Sequence, residues 1–205
     1  LPNDEIHKEI KRGKWKELPV LQWVESLRLK GTYVDGGAHI GNHTVFFAAC
    51  CPSDDVIAFE PVWYDVLTQN VRENFLWQKV ELVPCALSDR YGKEPVVLGP
   101  KGNKGRTMII EDANKADMTV QTDKLDEVVS PASKVSLIKL DVEGHEYKAL
   151  MGAENTIKKH QPVIIAEHNT KEQLEQFEEA LMRLGPYKRV KNWEGIRTYA
   201  WTSKH

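Results

Sequence analysis

The run Tyr33-Val34-Asp35-Gly36-Gly37-Ala38-His39-Ile40-Gly41-Asn42-His43-Thr44 constrains the fold more than any other stretch of the chain. A strand enters a glycine-rich turn and leaves it as a helix, the arrangement by which open α/β folds build a ligand site at the carboxyl ends of their strands. The rest of the chain repeats this alternation. Short β-rich apolar runs at 32–35, 56–60, 80–85, 136–141 and 163–167 are separated by helical spacing at 42–51, 63–74, 146–159 and 171–184. In the last of these, Leu174, Phe177, Leu181 and Leu184 share one side. The pattern predicts parallel strands covered by helices. Two β-prone runs at 187–193 and 196–202, split by Glu194-Gly195, read as an antiparallel hairpin. Together they predict an α/β, Rossmann-like sheet of seven strands, mostly parallel, with helices on both faces.

Two regions lie outside the alternation. Leu18, Leu21, Val24 and Leu27 mark an amphipathic helix after a polar stretch at 3–12, so residues 1–30 are expected to form a helical cover on a domain spanning 31–205. Segment 91–122 holds Gly92, Gly99-Pro100, Gly102 and Gly105 between β-like pieces, and is expected to be a pair of hairpins or a long loop inserted on the carboxyl side of the sheet. At 205 residues the chain suits one such domain. With 28 basic against 30 acidic residues there is no overall field to draw a polyanion, which disfavours nucleic acid as a partner. The longest apolar run, 45–51, is far short of the roughly 20 residues that cross a bilayer, and no charged-then-apolar segment opens the chain, so no membrane partner is expected. Cys50, Cys51 and Cys85 suit neither a disulfide framework nor a CxxC zinc site, and a reducing, cytoplasmic setting follows. A chain that starts at Leu1 is expected to be trimmed or cut from something longer.

The charge of the glycine loop narrows its ligand. Glu60 ends the second strand, 25 residues after Asp35, where an acid accepts hydrogen bonds from both hydroxyls of a ribose. A phosphate ligand needs donors and positive charge, but Asp35 precedes the glycines, Ala38 stands where GxGxxG has its second glycine, and no Gly-Lys-Ser/Thr follows. An acid there suits a cation. S-adenosylmethionine fits, with a ribose, no phosphate and a sulfonium. The alternative is a tight turn with Asp35 capping a helix.

These residues carry a resemblance. The loop Val34 to Thr44, then Ala58-Phe59-Glu60-Pro61, Ala86-Leu87-Ser88-Asp89, and Leu137-Ile138-Lys139-Leu140-Asp141-Val142-Glu143-Gly144-His145-Glu146 resemble the FkbM family of class I S-adenosylmethionine-dependent methyltransferases. The likeness runs on through Leu150, Gly152, Ala153 and Pro162 to Glu167, with departures at Gly36, His39 and His43. It implies that Asp35, Gly37, Ala38, Gly41 and Asn42 hold the methionine part, that Glu60 and Pro61 flank the ribose, that Ala86 and Leu87 lie against the adenine with Ser88 or Asp89 near its amino group, and that Asp141 also contacts the cofactor. Trp63 is either a border of the adenine pocket or core bulk.

The cluster Lys139-x-Asp141-x-Glu143-Gly144-His145-Glu146 falls at the end of the fourth strand, across the switch point from the glycine loop. It is either a structural ion pair with an acidic helix start, or the catalytic side of the cleft. Transfer of a methyl to a hydroxyl needs a base, and Asp141, Glu143, His145 and Glu167 are candidates, with His168 beside Glu167. A divalent metal on Asp141, Glu167, His168 and Asn169 is possible by ligand type and is ranked below a protein base. The expected activity is O-methylation of a sugar, glycan or small metabolite. An RNA methyltransferase using Lys101, Lys104 and Arg106, and a non-catalytic cofactor-binding module, are the alternatives.

Overall fold

The computed structural model describes residues 14–100, 104–193 and 195–203, with the backbone alone for Lys104. The polar stretch 3–12, Lys101, Gly102, Asn103 and Glu194 lie outside the described residues.

The strands are β1 (Thr32–Gly36), β2 (Val56–Phe59), β3 (Val80–Val83), β4 (Ala86–Leu87), β5 (Gly92–Val97), β6 (Met108–Ile109), β7 (Met118–Asp123), β8 (Val135–Leu140), β9 (Val163–Glu167), β10 (Lys188–Trp193) and β11 (Thr198–Thr202). Seven form the main sheet in the order β10-β11-β9-β8-β1-β2-β3. The strands from β9 to β3 run parallel, and β11 lies antiparallel between β9 and β10. Chain order therefore reverses between β1 and β8, the switch point at which such sheets open a crevice.

The helices are α1 (Leu18–Ser26), α2 (Asn42–Cys50), α3 (Tyr64–Glu73), α4 (Leu125–Val128), α5 (Glu146–Met151), α6 (Glu154–His160) and α7 (Lys171–Leu184). They cover both faces. On one, Phe177, Leu181, Leu150 and Ile138 pack together; on the other, Phe47, Leu21, Val24 and Leu137 do. Neighbours Leu137 and Ile138 thus serve opposite cores, which is why central strands read as unbroken apolar runs. Edge strand β10 is the contrary case, exposed from Lys188 to Asn192 and studded with Lys188, Arg189 and Lys191, charges that keep an open edge from pairing further.

Several expectations need correction. Leu18 is exposed, and Val20 joins Leu21 and Val24 on the buried face of α1. The third strand stops at Val83 because Pro84 has no N–H to continue the ladder. The insert is more ordered than a loop: β5 pairs antiparallel with β6 and β7, and Ala86-Leu87 joins β7 in parallel, making a four-stranded second sheet. The helix expected over 146–159 is two helices, broken at Gly152-Ala153. There the chain passes so close to the Ser88 carbonyl that a Cβ on Gly152 would sit 1.8 Å from its oxygen. Gly152→Ala should therefore lower stability by at least about 1–3 kcal/mol, seen as an earlier denaturant midpoint with an unchanged slope. An unaltered midpoint would show that this contact relaxes freely.

Candidate active site

A cavity of about 220 Å³ opens at the carboxyl ends of β1, β2, β8 and β9. Its floor is set by the glycine turn. Gly37 and Ala38 both donate to the Phe59 carbonyl, at 3.1 and 3.0 Å, fastening the turn to β2. Gly37 has φ +74°, and a Cβ there would lie 1.9 Å from the Asp141 carbonyl oxygen, so only glycine lets the two strand ends meet.

Glu60 is buried on the cavity wall. Its Oε2 accepts from His39 N at 2.8 Å, and its Oε1 from Val62 N at 2.8 Å and Trp63 N at 2.9 Å. Burial raises its pKa, against the pull of those three donors. Pro61, Val62, Trp63, Ala86 and Leu87 continue the wall beside it, and Val96, Ile109 and Val120 of the second sheet close the opposite side. Trp63 is therefore a wall residue rather than core bulk.

Asp35 and Lys139 sit behind this wall. Their strands put them side by side in register, and the Asp35 carboxylate, fully buried, lies 3.0 Å from Lys139 Nζ while accepting from Thr44 Oγ1 at 2.6 Å. Lys139 also donates to the carbonyls of Gly36 and Gly37, and stands 3.7 Å from Asp141. Burial alone would neutralise both groups. The mutual attraction outweighs it, lowering the Asp35 pKa and raising that of Lys139. The charge of Asp35 is thus already balanced within the protein, and Asp35, expected to hold the methionine part, is fully buried rather than on the cavity wall.

Other expected residues divide in the same way. Gly37, Glu60, Pro61, Ala86, Leu87, Asp141, Glu143, His145 and Glu167 line the cavity, whereas Ala38, Gly41, Asn42 and Ser88 stand behind it. Gly41 (φ +92°) turns the chain into α2 with Leu67 close against it. Ser88 Oγ lies 3.0 Å from His145 Nε2, and burial pushes the His145 pKa down to about 4. His168, expected in the cleft, is instead packed among Phe177, Tyr199 and Trp201, which removes it as a metal ligand. Among the described residues no three His, Cys, Asp or Glu side chains are grouped to hold a metal ion.

The acidic end of the cavity is held by strained backbone. Glu143 (φ +50°) and Gly144 (φ +99°) turn sharply, and the Glu146 carboxylate fixes that turn by accepting from Val142 N and Gly144 N at 3.0 to 3.2 Å. Burial lifts Glu146 to about 7 in spite of those bonds. Burial and the charge of Asp141 raise Glu143, opposed by a hydrogen bond from Asn169. Glu167 rises to about 8, from burial and then from Asp141, Glu17 and Glu143; Arg197, 3.4 Å away, offsets part of this.

These shifts set a stability profile. Glu146 and Glu167 bind protons more tightly folded than unfolded, so they contribute stability that is lost as pH rises through about 7 and 8. Buried His145 and His168, lowered to about 4, favour folding as pH rises from about 4 to 6.5 and are spent above that. Glu60 and Glu143, raised in the same direction, add to the loss. Chemical denaturation should therefore show stability falling by about 2 kcal/mol or more between pH 6.5 and 8.5, where the histidines no longer compensate; a flat profile over that range would contradict the raised acids.

Sequence reasoning missed Lys16 and Arg197, both on the cavity wall. Neither belongs to a motif: one precedes the first strand, and the other follows the hairpin turn at Gly195.

The family model described as the methyltransferase FkbM domain matches residues 35–192. The chain is 28% identical to the methyltransferase sdnD of Sordaria araneosa, over 59% of this chain and 60% of that protein. Among solved structures it resembles a methyltransferase FkbM from Methylobacillus flagellatus, with a TM-score of 0.65, 16% identity and coverage of 85% of this chain and 44% of that one. It also shares its fold with an rRNA methylase from Streptococcus thermophilus, with a TM-score of 0.55 and 12% identity over 89% and 92% of the two chains. The chain spans about 60% of the length of its curated relative. No helix among the described residues is long and apolar enough to cross a membrane.

Proposed function

The chain belongs to the FkbM methyltransferase family, and from that premise we propose that it transfers a methyl group from S-adenosylmethionine to a hydroxyl of a sugar, glycan or small metabolite. One observation carries the reading. A single cavity joins a buried carboxylate fixed by three backbone donors, apolar walls, and a cluster of acids, Asp141, Glu143 and Glu167, at its other end.

The residues fit that donor. In this reading Glu60 accepts from the ribose hydroxyls, with Pro61 beside it, while Val62, Trp63, Ala86 and Leu87 offer a flat apolar slot for adenine. Gly37 and Asp141 border the amino-acid tail. The carbonyls of Gly36 and Gly37 are turned to Lys139, and acids line the cavity next to the loop, which favours a cation over a phosphate. When bound, the donor would supply an electrophilic methyl on sulfur, open to in-line attack at carbon by the acceptor oxygen, with the C–S bond breaking and the sulfur leaving as the neutral thioether of S-adenosylhomocysteine.

The acceptor hydroxyl gives up its proton as the new C–O bond forms, and Glu167 is our choice of base. Asp141 is held beside the Lys139 ammonium, Glu143 takes a hydrogen bond from Asn169, and His145 is both bonded to Ser88 and made weakly basic by burial. Glu167, lifted to about 8, is the group best matched to accept a proton near neutrality.

RNA remains the second acceptor class, because Lys16, Arg106 and Arg197 also line the cavity. The three acids in the same space oppose a phosphodiester there. Incubating the protein and S-adenosylmethionine with a panel of hydroxyl-bearing sugars, metabolites and RNA tests both. Release of S-adenosylhomocysteine with a one-methylene mass gain on a non-nucleic-acid hydroxyl supports the proposal. Transfer to RNA with steep salt dependence, or binding with no transfer to any acceptor, overturns it.

A further inference from the structure

Three consecutive residues ahead of α1 are each fastened to α2. The Trp15 ring packs edge-on against Phe46, centroids 5.3 Å apart. The backbone of Lys16 is clamped from both sides by one carboxamide: Lys16 N donates to Asn42 Oδ1, and Asn42 Nδ2 donates to the Lys16 carbonyl, both at 3.1 Å. Glu17, in the left-handed conformation (φ 55°), pairs with His43 at 3.5 Å. Burial would raise the Glu17 pKa, but the hydrogen bond and charge of His43, with help from Lys16 and Lys139, bring it to about 2.

The strap so formed uses the side chains of Trp15 and Glu17 as anchors and only the backbone of Lys16. Lys16 lines the cavity alongside Gly37, Asp141 and Glu143, and the charge of its side chain acts on Glu143. It enters from the glycine-loop side, since its clamp, Asn42, directly follows Gly41. The other cations on the wall come from elsewhere: Arg197 is engaged by Glu167, and Arg106 belongs to the segment between β5 and β6.

We propose that Lys16 is the specificity residue for the carboxylate of the methyl donor's amino-acid tail, and that Asn42 and His43 are positioning residues that hold the strap in place. The inference rests on the donor reading above. An amino-acid tail presents an ammonium and a carboxylate together, and this end of the cavity offers acids and one delivered ammonium to match them. It also gives Asn42 a task other than direct contact. The carboxamide that the sequence suggested as a ligand group acts instead through Lys16.

Calorimetry with two ligands separates the possibilities. S-adenosylhomocysteine carries the tail; 5′-methylthioadenosine keeps the adenine, ribose and thioether and lacks it. Lys16→Met should weaken S-adenosylhomocysteine about 10- to 100-fold, the value of a hydrogen bond to a charged group, and leave 5′-methylthioadenosine unchanged. Lys16→Arg should restore most of the loss. Asn42→Ala should show the same ligand-selective loss with Lys16 intact. Unchanged S-adenosylhomocysteine affinity in Lys16→Met, or equal weakening of both ligands, overturns the assignment while the donor reading stands. If the unaltered protein binds neither compound, the donor reading fails and the assignment with it.

Discussion

Lys139→Met is expected to cost the fold about 3–5 kcal/mol, because removing one partner of a buried pair leaves the other as an uncompensated charge. The stranded group is Asp35, fully buried on β1 between β2 and β8, where Thr44 Oγ1 and the more distant His43 remain to it. The carbonyls of Gly36 and Gly37 lose a donor at the same time, so the glycine turn loosens with the sheet. Adding Asp35→Asn should return much of the loss, since it removes the stranded charge as well. Denaturant titration of the two single variants and the double variant gives the coupling directly. Additive losses, or less than about 1 kcal/mol for Lys139→Met, would show that the pair is not the internal counterbalance described here.

Glu167→Gln is expected to lower kcat by about 10²- to 10⁴-fold, the usual worth of a positioned base. Donor affinity should hardly move, because the residue ends β9, separated from β2 and Glu60 by β8 and β1. The pH profile carries the stronger test. With Glu167 lifted to about 8, activity should rise with pH through that region, as the carboxylate becomes free to accept the proton, and the variant should lose that limb. Glu143→Gln should retain it. If Glu167→Gln keeps both its turnover and its rising limb, the base lies elsewhere in the acidic cluster.

Much of this architecture is legible in the sequence for physical reasons. Strands buried on both faces are mostly apolar, so β9 and the Tyr33-Val34 and Leu137-Ile138 stretches of β1 and β8 announce themselves, and a glycine pair after such a strand marks the turn at which a ligand can approach. What stays hidden depends on partners distant in the chain. Gly152 reads as a tolerable helix residue, and only the approach of the Ser88 carbonyl makes it a break. Asp35 reads as a ligand-facing acid until the register of β1 on β8 sets Lys139 beside it. His168 has the chemistry of a metal ligand, but the aromatic side chains from α7 and β11 that enclose it give no local sign of doing so. The cations Lys16 and Arg197 reach the cavity from segments with no motif at all. A single sequence exposes the faces of its strands far better than it exposes which side chains meet at their ends.

In the proposed function the cavity between Glu60 and the acidic cluster holds S-adenosylmethionine. Calorimetric titration of that compound into the unaltered protein and into Glu60→Gln decides it. Binding by the unaltered protein, weakened about 100-fold by the substitution that removes a charged acceptor from two hydroxyls, is the expected result. Absence of binding, or equal affinity in the two proteins, would contradict it.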